Sequence, residues 1–232
     1  MIAQRPLDRR GAGRHDASCG VLLCAGNGGP AMPDNQKRIV LIGGGGHAMV
    51  VAEAAIACGR TLAGFLDDDP AAHLGDLAER LGDLSGVPDL GEDAAIIALG
   101  NVGRRAEIIT RLRAPAATVV HPSAIVSPSA TLGKGVFIGP NAVVHARARI
   151  GDHAIVNTGA IVEHDCLIGM NTHIAPGVVM GGETRVGPET LIGLGSRLLP
   201  GVRVGSRCVV GAGAVVLRAV GDGERVVGVP AR

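Results

Sequence analysis

The hydrophobic positions of this sequence repeat every six residues between residues 120 and 216. Each sixth residue is aliphatic, which a chain with 47% apolar residues would give by chance only about a few times per million trials. The position four residues after each aliphatic is nearly always Ala, Thr, Ser or Cys. The series runs through Val120, Val126, Leu132, Ile138, Val144, Ile150, Val156, Val162, Ile168, Ile174, Met180, Val186, Ile192, Leu198, Val204, Val210 and Val216. This regularity predicts a repeat architecture.

A six-residue unit with one large and one small inward residue fits a β-helix of triangular section. Three units form one coil, and successive coils stack their short strands so that the aliphatic side chains fill the prism. An α-helix is excluded, because a 3.6-residue stripe cannot stay in phase with a period of six over this length. A β-sandwich would show turn signals at longer and less regular spacing. We therefore predict an all-β prism over residues 117–232.

The chain before the prism alternates strand-like and helix-like patterns. The alternation predicts a small Rossmann-like parallel α/β domain over residues 37–116. Its predicted strands are 38–42, 61–66 and 94–99, its helices are 47–58 and about 103–112, and a tight glycine turn occupies 43–46. Residues 1–36 are rich in Gly, Arg, Pro and Asp without a sustained period, which predicts a disordered N-terminal extension.

Glycine and polar residues follow the carboxyl ends of the predicted strands, where parallel sheets bind their ligands. The glycine turn partly matches a dinucleotide fingerprint, with acidic residues about 20 positions later. The alternative is a turn that only lets a strand meet a helix. The candidate residues are Gly43, Gly44, Gly45, Gly46 and His47 after the first strand, Asp67 and Asp68 after the second, and Asn101 after the third.

His164 is the strongest candidate for chemistry in the prism. The period turns Val162 and Cys166 inward, so Glu163, His164 and Asp165 are predicted to lie outside, near a corner. An exposed imidazole beside carboxylates can keep one tautomer and accept a proton near neutral pH, as a general base must. Acyl transfer from a thioester needs little more, since backbone amides can hold the oxyanion.

Other reactive side chains in the prism have simpler explanations. His121, His145 and His153 are predicted to be idle surface residues. Cys166 and Cys208 fall in the small inward position, which favours packing over a nucleophilic or metal-binding role.

The order of these features resembles the hexapeptide-repeat sugar acyltransferases typified by bacterial sialic-acid O-acetyltransferase and UDP-4-amino-sugar N-acetyltransferase. The resemblance covers about residues 37–232. It rests on a short α/β domain with a Gly-Gly-His turn and an acid pair, then hexads carrying residues 163–166 (Glu-His-Asp-Cys), His173 and a closing Gly-Val-Pro-Ala at 228–231. It implies a left-handed β-helix, an acetyl-CoA-dependent acetyltransferase of glycan or surface polysaccharide biosynthesis, and a homotrimer with its sites between prisms.

The resemblance also implies roles for individual residues. The catalytic histidine falls on His164 and its acidic neighbour on Asp165, where the nucleotide-sugar enzymes carry Glu. Contacts to acetyl-CoA fall on His173, Gly182, Leu194 and Ala212. Contacts to the acceptor, a sugar or nucleotide-linked sugar, fall on the glycine turn with His47, on Asp67 and Asp68, and on Asn101. No metal is implied.

Composition narrows the classes of partner. The net charge is +1, and Trp and Tyr are absent, so neither a basic surface nor an aromatic platform for nucleic acid is indicated. No apolar run reaches the roughly 18 residues of a membrane span. Five cysteines without CxxC spacing indicate neither a disulfide framework nor a zinc site, and we predict a cytoplasmic protein.

The resemblance implies transfer of the acetyl group to an amino or a hydroxyl group of a sugar, and three alternatives stay open. One is O-acetylation of a sialic-acid-type or other sugar hydroxyl, because loops set the acceptor. A nicotinamide-dependent oxidoreductase would need a fuller Rossmann sheet than the residues before the prism offer. A non-catalytic scaffold or a metal-dependent hydratase of the same prism type is the third, although no set of three clustered histidines is evident between residues 164 and 173.

Overall fold

The computed structural model describes residues 38–87 and 90–232, so the predicted N-terminal extension over 1–36 lies outside the described residues. A small parallel α/β domain is followed by a parallel β-solenoid. The fold class predicted from the sequence is thereby confirmed.

The α/β domain contains one four-stranded parallel sheet in the order β3-β2-β1-β4. Each predicted strand and helix is present, with ends that differ by one or two residues, whereas the short edge strand β3 was not predicted. The strand order reverses direction between β1 and β4, which makes the crevice there a topological switch point. The elements are β1 Ile39–Ile42, α1 Gly46–Ala57, β2 Leu62–Leu66, a 3₁₀ turn Gly75–Leu77, β3 Arg80–Gly82, a 3₁₀ turn Leu84–Gly86, β4 Ala94–Ile97 and α2 Val102–Arg111.

The solenoid consists of two-residue strands arranged in three parallel sheets of five, seven and six strands. Paired residues in neighbouring coils are eighteen positions apart, as for Arg149 and Leu167, so one coil takes three hexads. The last coil is shorter, since Val209 pairs with Arg225. The strands are β5 Val119–Val120, β6 Ile125–Val126, β7 Thr131–Leu132, β8 Phe137–Ile138, β9 Val143–Val144, β10 Arg149–Ile150, β11 Ile155–Val156, β12 Ile161–Val162, β13 Leu167–Ile168, β14 His173–Ile174, β15 Val179–Met180, β16 Arg185–Val186, β17 Leu191–Ile192, β18 Arg197–Leu198, β19 Arg203–Val204, β20 Val209–Val210, β21 Val215–Val216 and β22 Arg225–Val226.

Each hexad folds in the same way. The second residue of a strand points inward, and the small residue four positions later fills the remaining interior space, as Val162 and Cys166 do with no exposed surface. Between them, a corner residue adopts a left-handed backbone, and this conformation recurs every six residues from Gly135 to Gly213. Glycine, Asn and Asp tolerate that conformation best, which accounts for their frequency at the corners.

The outward residues give the three sides of the prism different characters. The docked face carries Val119, Phe137, Ile155 and His173, all buried. The apolar face carries Ile125, Val143, Ile161, Val179, Arg197 and Val215, of which Ile125 is 66% exposed. The arginine face carries Thr131, Arg149, Leu167, Arg185 and Arg203, and its arginines are exposed.

The docked face and the α/β domain share one hydrophobic core. Val119, Phe137 and Ile155 pack in the same cluster as Val51 and Ala55 of α1. Ala116 still bridges to Ala95 of the sheet, and β5 begins three residues later. The predicted domain boundary between residues 116 and 117 stays a prediction, because the shared core joins the two parts.

Candidate active site

His164 and Asp165 occupy the corner between β12 and β13. The His164 side chain is 52% exposed, and its Nδ1 lies 2.8 Å from Asp165 Oδ2. Asp165 has a left-handed backbone with φ of 60°, and its amide donates to Ala146 O at 3.0 Å in the preceding coil. Both side chains therefore point outward, as predicted.

Asp165 also accepts two hydrogen bonds from Arg147, one coil earlier. Arg147 Nε lies 2.7 Å from Oδ1, and Arg147 Nη2 lies 2.7 Å from Oδ2. These bonds, followed by the bond from His164, lower the pKa of Asp165 well below its ordinary value. A carboxylate only accepts hydrogen bonds, so Nδ1 of His164 carries the proton and Nε2 keeps its lone pair.

Gly182 lies beneath the His164 ring, one coil further along the solenoid. A Cβ atom at position 182 would lie 2.5 Å from both Cε1 and Nε2 of His164. The neighbouring amide of Glu183 donates to His164 O at 2.9 Å, which holds the two corners in register. The imidazole therefore rests on a position where a side chain has no room.

His173 is placed at the junction of the two domains. It is 9% exposed, and its Nδ1 donates to Gly100 O at 3.0 Å, which leaves Nε2 to accept from Asn157 Nδ2 at 3.2 Å. Burial lowers the pKa of His173 to about 4, against the opposing effect of the Gly100 hydrogen bond. His173 is thus a neutral imidazole with both ring nitrogens engaged, and its predicted contact with acetyl-CoA stays a prediction.

Leu194 and Ala212 follow one another at a second corner, between the docked face and the apolar face. Both are exposed, Leu194 by 57%, and Gly213 N donates to Leu194 O at 2.7 Å. Gly182 and His164 lie at the opposite edge of the apolar face. Gly182, Leu194 and Ala212 therefore flank the apolar face instead of forming a single group, and His173 lies apart from them on the docked face.

The predicted acceptor residues converge at the carboxyl edge of the sheet, and several are held by contacts within the protein. Asp67 accepts from Gly44 N at 2.6 Å, and Asn101 Oδ1 caps α2 by accepting from Arg104 N at 2.9 Å. Asp68 is exposed and pairs with Arg104 at 3.0 Å. The crevice between β1 and β4 is consequently bordered by the N-termini of α1 and α2, where backbone amides favour anions.

His47 belongs to the domain junction as well as to the glycine turn. Its ring packs edge-on against Phe137, with centroids 5.6 Å apart, and lies 6.1 Å from the His173 ring. Burial is the main reason that the pKa of His47 falls to about 4, with smaller contributions from His173 and the nearby Arg105.

Sequence reasoning missed three arginines. Arg147 holds Asp165, Arg104 stands at the predicted acceptor crevice, and the buried Arg105 donates from Nε to Asn171 Oδ1 at 2.9 Å. Arg147 and Asp165 are separated by eighteen residues, so reading the sequence by coils as well as by hexads would have paired them.

All three histidines predicted to be idle have contacts. His121 Nδ1 accepts from Ser123 N at 3.0 Å. His145 Nε2 lies 3.7 Å from Glu163 Oε1. The ring of His153 lies close to Gly135, with its Nδ1 buried. The packing prediction for the two cysteines agrees with the structure: Cys166 and Cys208 are both buried, and burial raises the pKa of the Cys166 thiol to about 11.

Two further properties concern the described residues as a whole. No helix within residues 38–87 and 90–232 has the length and apolarity needed to cross a bilayer. The same residues contain no group of three or more His, Cys, Asp or Glu side chains arranged to hold a metal ion.

Three family descriptions match the chain. Residues 38–112 match the PglD N-terminal domain. Residues 147–182 match the bacterial transferase hexapeptide of six repeats, and residues 130–163 and 183–218 match the hexapeptide repeat of succinyl-transferase. The matches divide the chain into the same two parts as the fold.

Among proteins of known activity, UDP-N-acetylbacillosamine N-acetyltransferase of Bacillus subtilis is 36% identical over 111 residues. The match covers 44% of this chain and spans about half, 51%, of that relative.

Two solved structures match this chain over nearly all of their own length. A mutant of GDP-perosamine N-acetyl transferase from Caulobacter crescentus, in complex with CoA and GDP-perosamine, is 40% identical with a TM-score of 0.81, over 85% of this chain and 96% of that one. The acetyltransferase domain of PglB from Neisseria gonorrhoeae, in complex with acetyl coenzyme A, is 37% identical with a TM-score of 0.79, over 84% and 98%. With this fold, these matches and this coverage, the chain belongs to the hexapeptide-repeat sugar N-acetyltransferases that carry a PglD-type N-terminal domain.

Proposed function

We propose that this protein transfers the acetyl group of acetyl-CoA to an amino group of a nucleotide-linked sugar. The observation that carries the proposal is the bond between His164 Nδ1 and the Asp165 carboxylate, at an exposed solenoid corner. The relatives of this architecture are sugar N-acetyltransferases, one of them solved with CoA and a GDP-linked sugar. They favour an amine over a hydroxyl acceptor.

In the proposed reaction, His164 is the general base. The amine nitrogen attacks the thioester carbonyl carbon, Nε2 of His164 takes the proton that the nitrogen loses, and the C–S bond breaks. The proton then passes to the departing thiolate. Asp165 stabilises the imidazolium that forms between these two events, because it faces the opposite ring nitrogen at 2.8 Å.

We assign the nucleotide of the acceptor to the crevice between β1 and β4. Two helices begin there, and their backbone amides suit a diphosphate. The exposed Arg104 adds a cation beside them, held by Asp68. Gly43–Gly46, His47, Asp67 and Asn101 shape this crevice, since Asp67 and Asn101 fix the glycine turn and the start of α2.

For the donor, we propose that acetyl-CoA lies between two prisms of a homotrimer. The proposed donor residues Gly182 on one edge of the apolar face and Leu194 and Ala212 on the other are brought together when a second copy packs against this face. The exposed Ile125 and Val179 give the copy an apolar surface to cover. His173 supports the arrangement by joining the solenoid to the Gly100 loop.

The experiment is an acetyl-CoA thiol-release assay with GDP- and UDP-linked amino sugars, and with the matching sugars that carry a hydroxyl instead. We expect release only with amino sugars. His164→Ala should lower kcat by about 10²–10⁴-fold with acetyl-CoA affinity retained, because it removes proton transfer alone. His121→Ala, in the first coil, is the matched control.

Three results would contradict these proposals. Parental turnover of His164→Ala with an amino sugar would exclude His164 as the base. Release with hydroxyl sugars alone would convert the assignment to an O-acetyltransferase. An active, strictly monomeric protein in sedimentation would exclude a donor site shared between copies.

A further inference from the structure

The ion pair between Arg147 and Asp165 has a fixed geometry. Both residues are corner residues in successive coils, and both have left-handed backbones, with φ of 58° and 60°. Their side chains therefore leave the solenoid in parallel, one coil apart. The guanidinium uses Nε and Nη2 on the two carboxylate oxygens, each at 2.7 Å, which fixes the plane of the carboxylate.

This pair has little value as a fold stabiliser. The Arg147 side chain is 67% exposed, and exposed ion pairs contribute little to stability. The ion pair acts instead on His164. Asp165 Oδ2, which accepts from Arg147 Nη2, is also the oxygen that bonds His164. Arg147 is thus connected to the proposed base through a single intermediate.

We propose that Arg147 is a positioning residue for acetyl transfer, which orients the Asp165 carboxylate, thereby fixes the His164 ring, and places a cation beside the imidazolium formed in the reaction. The inference rests on the proposed function of His164. Orientation follows from the two-point hold, because a carboxylate fixed in its plane presents Oδ2 to Nδ1 in one direction. The charge of Arg147 matters as well, because Arg147 shares the negative charge of Asp165 that would otherwise stabilise the imidazolium.

The charged surroundings of His164 leave few other groups to exert this control. Asp165 and Arg147 face it from its own and the preceding coil, Glu163 accepts from its amide at 3.2 Å, and His145 lies against Glu163. From the next coil, Gly182 meets the ring without a charge, and the exposed corner residue Glu183, whose amide donates to His164 O at 2.9 Å, adds a carboxylate. Arg147 is the cation that contacts the carboxylate of Asp165, and Asp165 in turn bonds His164.

The test uses Arg147→Met, which keeps the length of the stem and removes the charge, and Arg147→Lys, which keeps the charge without the two-point hold. Arg149→Met, an exposed arginine two residues away on the arginine face, is the matched control. Two quantities are measured. One is the pH profile of kcat/KM with the accepted amino sugar, and the other is the titration of the His164 imidazole by NMR in the substrate-free protein.

For Arg147→Met we expect kcat to fall about 5–50-fold and the acid limb of kcat/KM to move up by about 0.5–1 pH unit, with the same shift in the NMR titration. Arg147→Lys should keep the limb near its parental position and lose less kcat. Arg149→Met should change neither quantity.

An unshifted His164 titration in Arg147→Met would overturn the proposal, whatever happens to kcat, because a loss of packing alone leaves the basicity of His164 in place. Parental kcat together with a parental limb would overturn it too. A parent protein without acetyl transfer would refute the proposed function instead, and the NMR titration would still decide whether Arg147 controls His164.

Discussion

Gly182→Ala tests whether the seat beneath the His164 ring matters to catalysis. The new Cβ would lie 2.5 Å from Cε1 and Nε2 and 3.1 Å from Nδ1 of His164. Carbon atoms in contact prefer about 3.5–4.0 Å, so the imidazole must withdraw by about 1 Å. The half-exposed ring can move without disturbing the interior, and the backbone of Gly182 is not left-handed. The strain therefore falls on the position of Nε2.

A displacement of about 1 Å in a catalytic group can lower a rate about 10²-fold. We expect kcat of Gly182→Ala to fall by about that factor while the melting temperature stays close to the parental value. The dissociation constant of acetyl-CoA, which Gly182 is also proposed to contact, should change less than kcat. The double variant Gly182→Ala with His164→Ala should be no slower than His164→Ala, because both changes remove the same function.

Steady-state kinetics and calorimetric binding of acetyl-CoA measure these quantities. Gly86→Ala is the control, since a Cβ there meets its nearest atoms at an ordinary 3.6 Å. Parental kcat in Gly182→Ala would refute the reasoning. Weakened acetyl-CoA binding with kcat unchanged would also refute it, because Gly182 would then act through the donor and not through His164.

Three further predictions concern stability, each measured by urea unfolding. Ala160→Phe overfills a fully buried interior position and should lower the free energy of unfolding by about 1–3 kcal/mol. His47 and His173 each have a folded pKa of about 4 against an ordinary 6.5, so the unfolded chain binds protons at a higher pH than the folded protein. The stability present above pH 6.5 should fall by about 3 kcal/mol for each histidine as the pH drops to 4, and His173→Gln should reduce that loss. Asn171→Ala removes the amide oxygen that accepts from the buried Arg105 guanidinium and should lose about 1.5–3 kcal/mol, against a much smaller loss in the exposed left-handed control Asn141→Ala.

The solenoid could be predicted in detail because its period is a direct consequence of the structure. Each aliphatic in the hexad series fills the second position of a strand, which is the inward position, so the sequence pattern alone identifies the residues that point into the prism. The edge strand β3 was missed, since Arg80–Gly82 is short and partly exposed and offers no apolar run. Strand β1, in contrast, consists of four consecutive buried aliphatic residues, an apolar run that is recognisable in the sequence.

The site could be predicted only in part. His164 and Asp165 are neighbours in sequence and their outward position follows from the hexad. Arg147 reaches Asp165 only because coils stack, and Asp67 binds Gly44 only because the loops after two strands meet. The placement of His173 against Gly100 depends on how the two domains dock, which no local pattern in the sequence specifies.

The eighteen-residue register makes the whole coil the unit by which this solenoid can change length. An insertion of eighteen residues adds one rung to every side and returns each later side chain to its own side. A deletion of six preserves the alternation of inward and outward residues, so the interior still fills, but it turns everything downstream by a third of a revolution. Placed before His173, it would move that residue from the junction to the side where Leu167 now lies, and would bring Arg185 and Arg203 onto the side proposed to meet a second copy. Such a chain would fold its prism and lose both its docking and its assembly, so length variants in this family should differ by whole coils.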